Sequence, residues 1–398
     1  MENSFQTFEA ELQTTRDWLF DAALPLWADR GVDRRDGGFF ERLTPQGEVI
    51  DDPRRTRLVA RQIYAFATSA ALGWNGPAAA LVNHGLEFFT KKSLRPDGGV
   101  YSSVRSDGLV ASADFDLYDH AFALFGLAAV AKAQPDRSEL HEAMALSLLD
   151  HMEASFKHPQ GGFEESSPRT LPLKANPHVH MLEATLAWQS AGQSLRWQIL
   201  AREIVDLCLL RFINPETDAL HEFLDGDWNL ILSPPNDMVE PGHLFEWSWL
   251  LVRWGLMQDD EKALSAGRRM HDLAEAHGVC PDIGLAFNEL DSSSNKRDGR
   301  FRLWPQTERL KAKVAQHRLN TSDVSRVRTL QDVADGLKNL RRYFDHPVKG
   351  SWWEHFDSDG IAQEEPARAS SLYHVICAIA EADDLHQEIK STSVTTPA

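Results

Sequence analysis

Cysteine is scarce, with only Cys208, Cys280 and Cys377 among 398 residues. An odd, widely spaced set argues against a disulfide framework and against a cysteine-built zinc cluster, and reads as small buried hydrophobes. No apolar run reaches the roughly 18 residues that a membrane span requires. The first ten residues are polar and carry two acids, so they lack the basic start and apolar middle of a secretory signal. A cytoplasmic location is the default expectation. No run of Lys and Arg interrupts the net charge of −18, and an acidic surface repels polyanions, so neither nucleic acid nor a membrane is an expected partner. There is no glycine-rich phosphate loop between a strand and a helix, no Gly-x-Ser-x-Gly elbow and no His-Glu-x-x-His pair.

What the chain does have is a period. Asp36-Gly37-Gly38-Phe39 recurs as Asp97-Gly98-Gly99-Val100 and as Gln160-Gly161-Gly162-Phe163, at steps of 61 and 63 residues. Looser copies follow at Thr217 to Leu220, Asp282 to Leu285 and Lys349 to Trp352. Six units of about 60 residues fill the chain, and that length suits a helix pair with a long loop. After each turn comes a short extended stretch, often ending in a second turn such as Ser106-Asp107-Gly108. Those stretches read as small β-hairpins.

The helical segments alternate in character. Leu117 to Val130 is apolar almost all round, the pattern of a helix buried on every side. Leu58 to Leu72 and Leu372 to Ala380 are similar. Glu139 to Phe156 instead puts Leu140, Met144 and Leu148 on one stripe, as an amphipathic surface helix does. Arg196 to Phe212 and Glu261 to His277 fit that outer type. Inner and outer helices alternating six times predict an all-α toroid of about twelve helices, with hairpins at one mouth. An open solenoid is the alternative. One domain is expected over 1–390, with a fraying tail at 391–398.

Two helix starts share one arrangement. Asn176-Pro177-His178-Val179-His180-Met181-Leu182-Glu183 and Glu240-Pro241-Gly242-His243-Leu244-Phe245-Glu246-Trp247 each place proline at the first helical position. Each sets a His and a Glu three apart on one face, His180 with Glu183 and His243 with Glu246. A structural reading, a buried His bonded to its neighbouring acid, stays open for either pair alone. Two copies at equivalent places favour function. His178 and His180 face different ways on a helix, so no metal site is expected. His374 lies in the last inner helix, which closes against the first and its Arg57. Tyr118, Trp304, Glu308 and Trp353 stand near other helix starts and hairpins. Tryptophan, with 12 copies, can fill the core or offer an indole platform to a sugar face. Carboxylates, histidines, an arginine and indoles around one hollow suit carbohydrate.

These residues carry a family resemblance. Asp116 to Phe122, Asn176 to Glu183, Glu240 to Trp247, Trp304 to Glu308 and Gly350 to Glu354 resemble the N-acylglucosamine 2-epimerase family, in order and over nearly the whole chain. Glu-Pro-Gly-His-x-x-Glu-Trp is the most specific match. The resemblance implies an (α/α)6 barrel, proton transfer through an enediol(ate), and neither metal nor redox cofactor. It makes His374 the base for the C2 proton, His243 a partner in ring opening and proton shuttling, and Arg57 the residue that steadies the sugar oxygens. Tyr118, Asn176, His180, Glu183, Glu246, Trp304, Glu308 and Trp353 become the lining, with Glu246 expected to orient His243. One departure is Leu232 to Asp237, where several isomerase members carry an arginine and this chain has none. The expected activity is aldose–ketose isomerisation of a free hexose, D-mannose and D-fructose foremost. A sugar 2-epimerase is the runner-up. An α/α-barrel glycoside hydrolase and a non-enzymatic sugar-binding module are the readings from other classes. A small-molecule sugar is the expected partner, and a homo-oligomer stays open.

Overall fold

Each copy of the Gly-rich motif turns the chain through left-handed backbone at an equivalent residue. In the computed structural model, which describes residues 2–394, that residue is Gly37, Gly98, Gly161, Asp218, Gly284 and Gly350, with φ from 60° to 96°. Glycine adopts this conformation without steric cost, and aspartate is among the few residues that tolerate it. The fourth copy can therefore lose its glycine and keep its turn. Isolated antiparallel bridges such as Val32 to Phe39 and Leu94 to Val100 close these turns.

Between the turns run the helices. Six inner ones span Thr56–Ala71, Leu117–Ala133, Asn176–Ala191, Pro241–Gln258, Leu303–Leu319 and Ser370–Val394. Six outer ones occupy 2–29, 78–93, 138–156, 196–212, 261–277 and 323–341, three of them containing a π-type turn. Neighbouring inner helices pack side by side, and the sixth packs on the first, so the ring closes as an (α/α)6 barrel. The first outer helix, 2–29, backs the sixth inner one. Among the described residues no helix is long and apolar enough to cross a membrane.

Local chemistry explains the elements. Asp116 caps the second inner helix by accepting from the Tyr118 amide. Gly126 in that helix lets it approach the first, because a Cβ there would lie 2.9 Å from Ala60 Cβ. On the outer helix 138–156 the expected stripe holds at Leu148, which is buried, and Met144, which packs on the core, but not at Leu140, which is exposed; His141, Ala145, Leu149 and Met152 face inward as well. The cause is Glu142, drawn inside to accept from the amides of Gln193 and Ser194 and from the Trp197 indole.

The short strands make a second ring. Local hairpins form as expected, for example Arg42–Leu43 with Val49–Ile50. The pairing between repeats is not visible in the period. The strand before each inner helix bonds to the hairpin of the next repeat: 54–55 to 103–104, 115–116 to 166–167, 173–174 to 223–224, 301–302 to 355–356, and finally 367–368 back to 42–43. Val239 and Leu290 supply the remaining step as a single bridge. This ladder frames the end of the barrel where all six inner helices begin. The last helix runs through 390 to Val394, so the expected boundary falls inside it, and 395–398 lie outside the described residues.

Candidate active site

A hollow of about 1060 Å³ opens at that end, lined by the first turns of all six inner helices. Helix N-termini carry partial positive charge, so six of them converging favour negative charge developing inside. Arg57, Tyr118, Asn176, His180, His243, Glu246, Trp304 and His374 all reach this lining.

The two histidines at the centre stand in opposite electrostatic settings. His374 Nδ1 lies 2.9 Å from Glu308 Oε1. Burial, then the charges of Arg61 and Lys311, push its pKa well below the ordinary histidine value. A carboxylate only accepts, so the neutral ring carries its hydrogen on Nδ1 and leaves an Nε2 lone pair. His243 Nδ1 sits 2.7 Å from Glu222 and 2.9 Å from Glu240. Burial opposes its charge, but the two carboxylates outweigh burial and hold the pKa well above the ordinary value. Burial likewise raises Glu240, yet His243 and Arg302 bring it down to about 2. Trp304 packs beside both rings, 4.9 Å from His243 and 6.0 Å from His374 by centroid. One imidazole favoured neutral and one favoured charged can serve as a base and an acid.

Beneath them lies a packed polar floor. His180 Nδ1 is 3.4 Å from Glu183 and 3.7 Å from Glu246, and burial lowers its pKa to about 4. Burial and the neighbouring Glu308 raise Glu246 well above the carboxylate range. Glu183 and Glu308 do not line the hollow; both are buried behind the histidines, Glu183 also accepting from the Tyr373 hydroxyl.

Besides Glu183 and Glu308, which the sequence reading put in the lining, three placements differ from it. Glu246 does not orient His243; Glu222 and Glu240 do, and Glu246 turns toward His180. Trp353 does not line the hollow: its indole donates to the Asp345 carbonyl at 2.6 Å and packs on His346. Residues alternate along an extended segment, so Glu354 reaches the hollow and Trp353 points away. Arg57 is at the site but already paired, 2.9 Å from Asp116 and 3.7 Å from Asp119. One turn on, Arg61 is only 6% exposed and, among the described residues, has no carboxylate within ion-pair distance. Its guanidinium donates to Tyr118 Oη at 2.6 Å and lies over the Phe122 ring at 4.0 Å.

Arg61 and Glu222 are the residues sequence reasoning missed. Arg61 follows Arg57 by four, a spacing that puts both on one helix face. Glu222 has a signal in the repeat itself. The fourth residue after the left-handed residue of each turn is Glu41, Ser102, Glu165, Glu222, Asn288 or Glu354, polar every time. In five repeats its side chain bonds to a side chain at or just before a helix start: Glu41 to Arg55, Ser102 to Asp119, Glu222 to His243, Asn288 to Arg302 and Glu354 to Ser371.

Two groups have the spacing of a cation site, with ligand atoms within 4.8 Å of one another: His180, Glu183 and Glu246, and Glu222, Glu240 and His243. In the second, His243 Nδ1 is occupied by the carboxylates and Arg302 already pairs with Glu240 at 2.8 Å. In the first, the buried Lys311 ammonium supplies positive charge nearby.

A closed helical ring with an acid and a base poised in one polar hollow defines a sugar-converting enzyme of the epimerase and isomerase class. The chain belongs to the N-acylglucosamine 2-epimerase family, whose model matches residues 38–378. It is 40% identical over 369 residues to a Rhizobium meliloti (strain 1021) protein named mannose-6-phosphate isomerase, covering 92% of this chain and 95% of that one. It is 24% identical to a Bacteroides fragilis cellobiose 2-epimerase, covering 87% and 91%. The solved structure of a D-mannose isomerase superposes with a TM-score of 0.82 at 19% identity, over 95% of this chain and 97% of that one. At that identity the likeness speaks for the fold.

Proposed function

We propose that this enzyme is an aldose–ketose isomerase acting on a free hexose, with D-mannose and D-fructose as the pair. The observation that carries the reading is the contrast between two histidines on one hollow, His374 Nδ1 on Glu308 at 2.9 Å with its pKa lowered by burial and nearby cations, and His243 Nδ1 held by Glu222 and Glu240 with its pKa raised by them. In the open-chain aldose, His374 Nε2 takes the C2 proton, and the bonding pair moves toward the C1 carbonyl. His243 donates to O1 as charge develops there. The resulting enediol loses its O2 proton to His243, and His374, whose abstracted proton exchanges with solvent in the open hollow while the enediol stands, delivers a solvent-derived proton to C1. Proton transfer next to a carbonyl needs both a base and stabilisation of the enediolate oxygen. Arg61 takes the stabilising role that the sequence reading gave to Arg57, because its charge is not already matched by a carboxylate. Tyr118, Asn176, His180 and Glu246 line the sugar site, and Glu183 and Glu308 hold the histidines from behind.

The isomerase reading is supported by the higher identity to the relative named an isomerase than to the one named an epimerase. The unphosphorylated substrate is supported by charge at the rim, where Arg42 pairs with Asp52 and Arg55 with Glu41. Arg368 and Lys174 at the hollow are exposed and, among the described residues, stand in no ion pair; with the name of the 40% identical relative, mannose-6-phosphate isomerase, they favour a sugar phosphate. Incubation with D-mannose, D-glucose, cellobiose and D-mannose 6-phosphate, with products separated by chromatography, tests the reading. Fructose formed fastest from D-mannose is expected. A 2-epimer as main product, or turnover of the phosphate alone, contradicts it.

The pH profile follows from the same pair. The base must be unprotonated and the acid protonated, so activity is lost below the His374 pKa and above that of His243. Since one is lowered and the other raised, a broad plateau is expected on both sides of about pH 6.5. Glu222→Gln removes one of the two carboxylates that raise His243. The alkaline limb of kcat should then move down by about one pH unit or more, with the acid limb in place. An unmoved alkaline limb in pH-rate measurements would take His243 out of the acid role.

A further inference from the structure

The fifth inner helix carries a lysine where no lysine is needed for packing. Lys311 has 0% exposure and lies under the floor of the hollow, its Nζ 2.5 Å from Glu308 Oε2 and 3.8 Å from the centre of the Trp249 ring. The other oxygen of Glu308 meets His374 Nδ1 at 2.9 Å. A buried ammonium costs several kcal/mol to desolvate, so its neighbours must give it a use. We propose that Lys311 is a positioning residue that sets the tautomer of His374, by balancing Glu308 so that this carboxylate remains a pure acceptor for the Nδ1 hydrogen. The inference rests on the reading of His374 as the proton-transfer base.

The charge balance around His374 supports this. Arg61 from the first inner helix, His243 from the fourth and Lys311 from the fifth supply positive charge; Glu183, Glu246 and Glu308 are the carboxylates of the third, fourth and fifth. Burial and Glu308 raise the Glu246 pKa and so disfavour its charge, and His180, whose pKa burial lowers to about 4, and the Tyr373 hydroxyl complete the shell. Without Lys311, Glu308 would face the histidine as an unbalanced buried carboxylate, and the Glu308–His374 pair would bind one more proton. That proton has two places to settle. Either the imidazole becomes imidazolium, or Glu308 becomes an acid and donates to Nδ1, which moves the ring hydrogen to Nε2. Both outcomes remove the lone pair that faces the substrate, and the pair titrates as a unit.

The test uses the full chain labelled with 15N-histidine, the His374 signals being assigned with His374→Gln. Wild type should show the Nδ1–H tautomer at neutral pH. Lys311→Met should show a protonated Nε2, with kcat down about 100-fold and KM within about threefold. The double variant Lys311→Met/Glu308→Gln restores neutrality at similar volume. It should fall between the two, with mixed tautomers and kcat at least about tenfold above the single variant, because a glutamine can present either its oxygen or its NH2. An Nε2–H tautomer in wild type overturns the inference. So does a wild-type tautomer with wild-type kcat in either variant, or a double variant no better than the single. If only the double variant folds, its tautomer and kcat against wild type decide the matter. Absence of any sugar turnover by wild type would instead remove the isomerase reading and leave the tautomer measurement standing.

Discussion

Turnover by His374→Gln is expected to fall about a thousandfold, with KM changed by no more than about threefold. The size follows from the role. A hydrogen beside a carbonyl is too weakly acidic to leave without a base, and the Nε2 lone pair is the unoccupied one at the centre of the hollow. Glutamine keeps much of the ring's volume and can still donate to Glu308 through its amide, so the floor should remain packed. Glu308 also keeps Lys311 as its ionic partner at 2.5 Å. The melting temperature should therefore stay within a few degrees of wild type, roughly the shift that 1 kcal/mol gives in a domain of this size. A folded variant with near-normal kcat would remove His374 from the mechanism. A His180→Gln control should cost much less, since burial holds that ring neutral with a pKa of about 4 and its Nδ1 faces Glu183.

The second large effect separates two arginines one helical turn apart. Arg61→Met should lower kcat by about 100- to 1,000-fold, the usual cost of losing a preorganised donor at a developing oxyanion. Arg57→Met should lower it by less than about tenfold, because Asp116 and Asp119 already match that charge and screen it from the substrate. Stability should run the other way. Arg61 holds a buried cation among Tyr118, Phe122 and Tyr373 with no carboxylate partner, so a methionine there should leave the melting temperature unchanged or raise it. Kinetics and thermal melts of both variants check this together. The opposite ranking, with Arg57 the costlier loss, would restore the role that the sequence reading assigned.

Much of this architecture is legible in the chain because it is repetitive. The Gly-rich period marks six left-handed turns, and helices such as Leu117–Ala133 announce their burial by having no polar face. Proline at the first helical position fixes where the site helices begin, so His180, His243 and Glu246 could be placed at one mouth. What the chain conceals is which distant side chains meet. Glu246 stands three residues after His243, so spacing suggests a bond, yet Glu222 from the hairpin of the same repeat takes that place at 2.7 Å. Trp353 looks like a sugar platform by composition, but strand alternation turns it away and sends Glu354 inward. Arg57 and Arg61 share a face, and only the position of Asp116 and Asp119 shows which guanidinium is free to act. In each case the deciding contact joins residues distant in sequence, or depends on a side chain's direction, neither of which sequence spacing records.

The central claim is that His374 removes the hydrogen from C2 of the sugar, and its most direct test is the C2 proton signal of D-mannose followed by NMR in D2O. Wild-type enzyme should wash out that signal and place deuterium at C1 of the fructose formed, while His374→Gln should leave the C2 signal intact over the same interval. Exchange at C2 that persists undiminished in the variant would contradict the account, as would conversion by wild type with no solvent deuterium in either sugar.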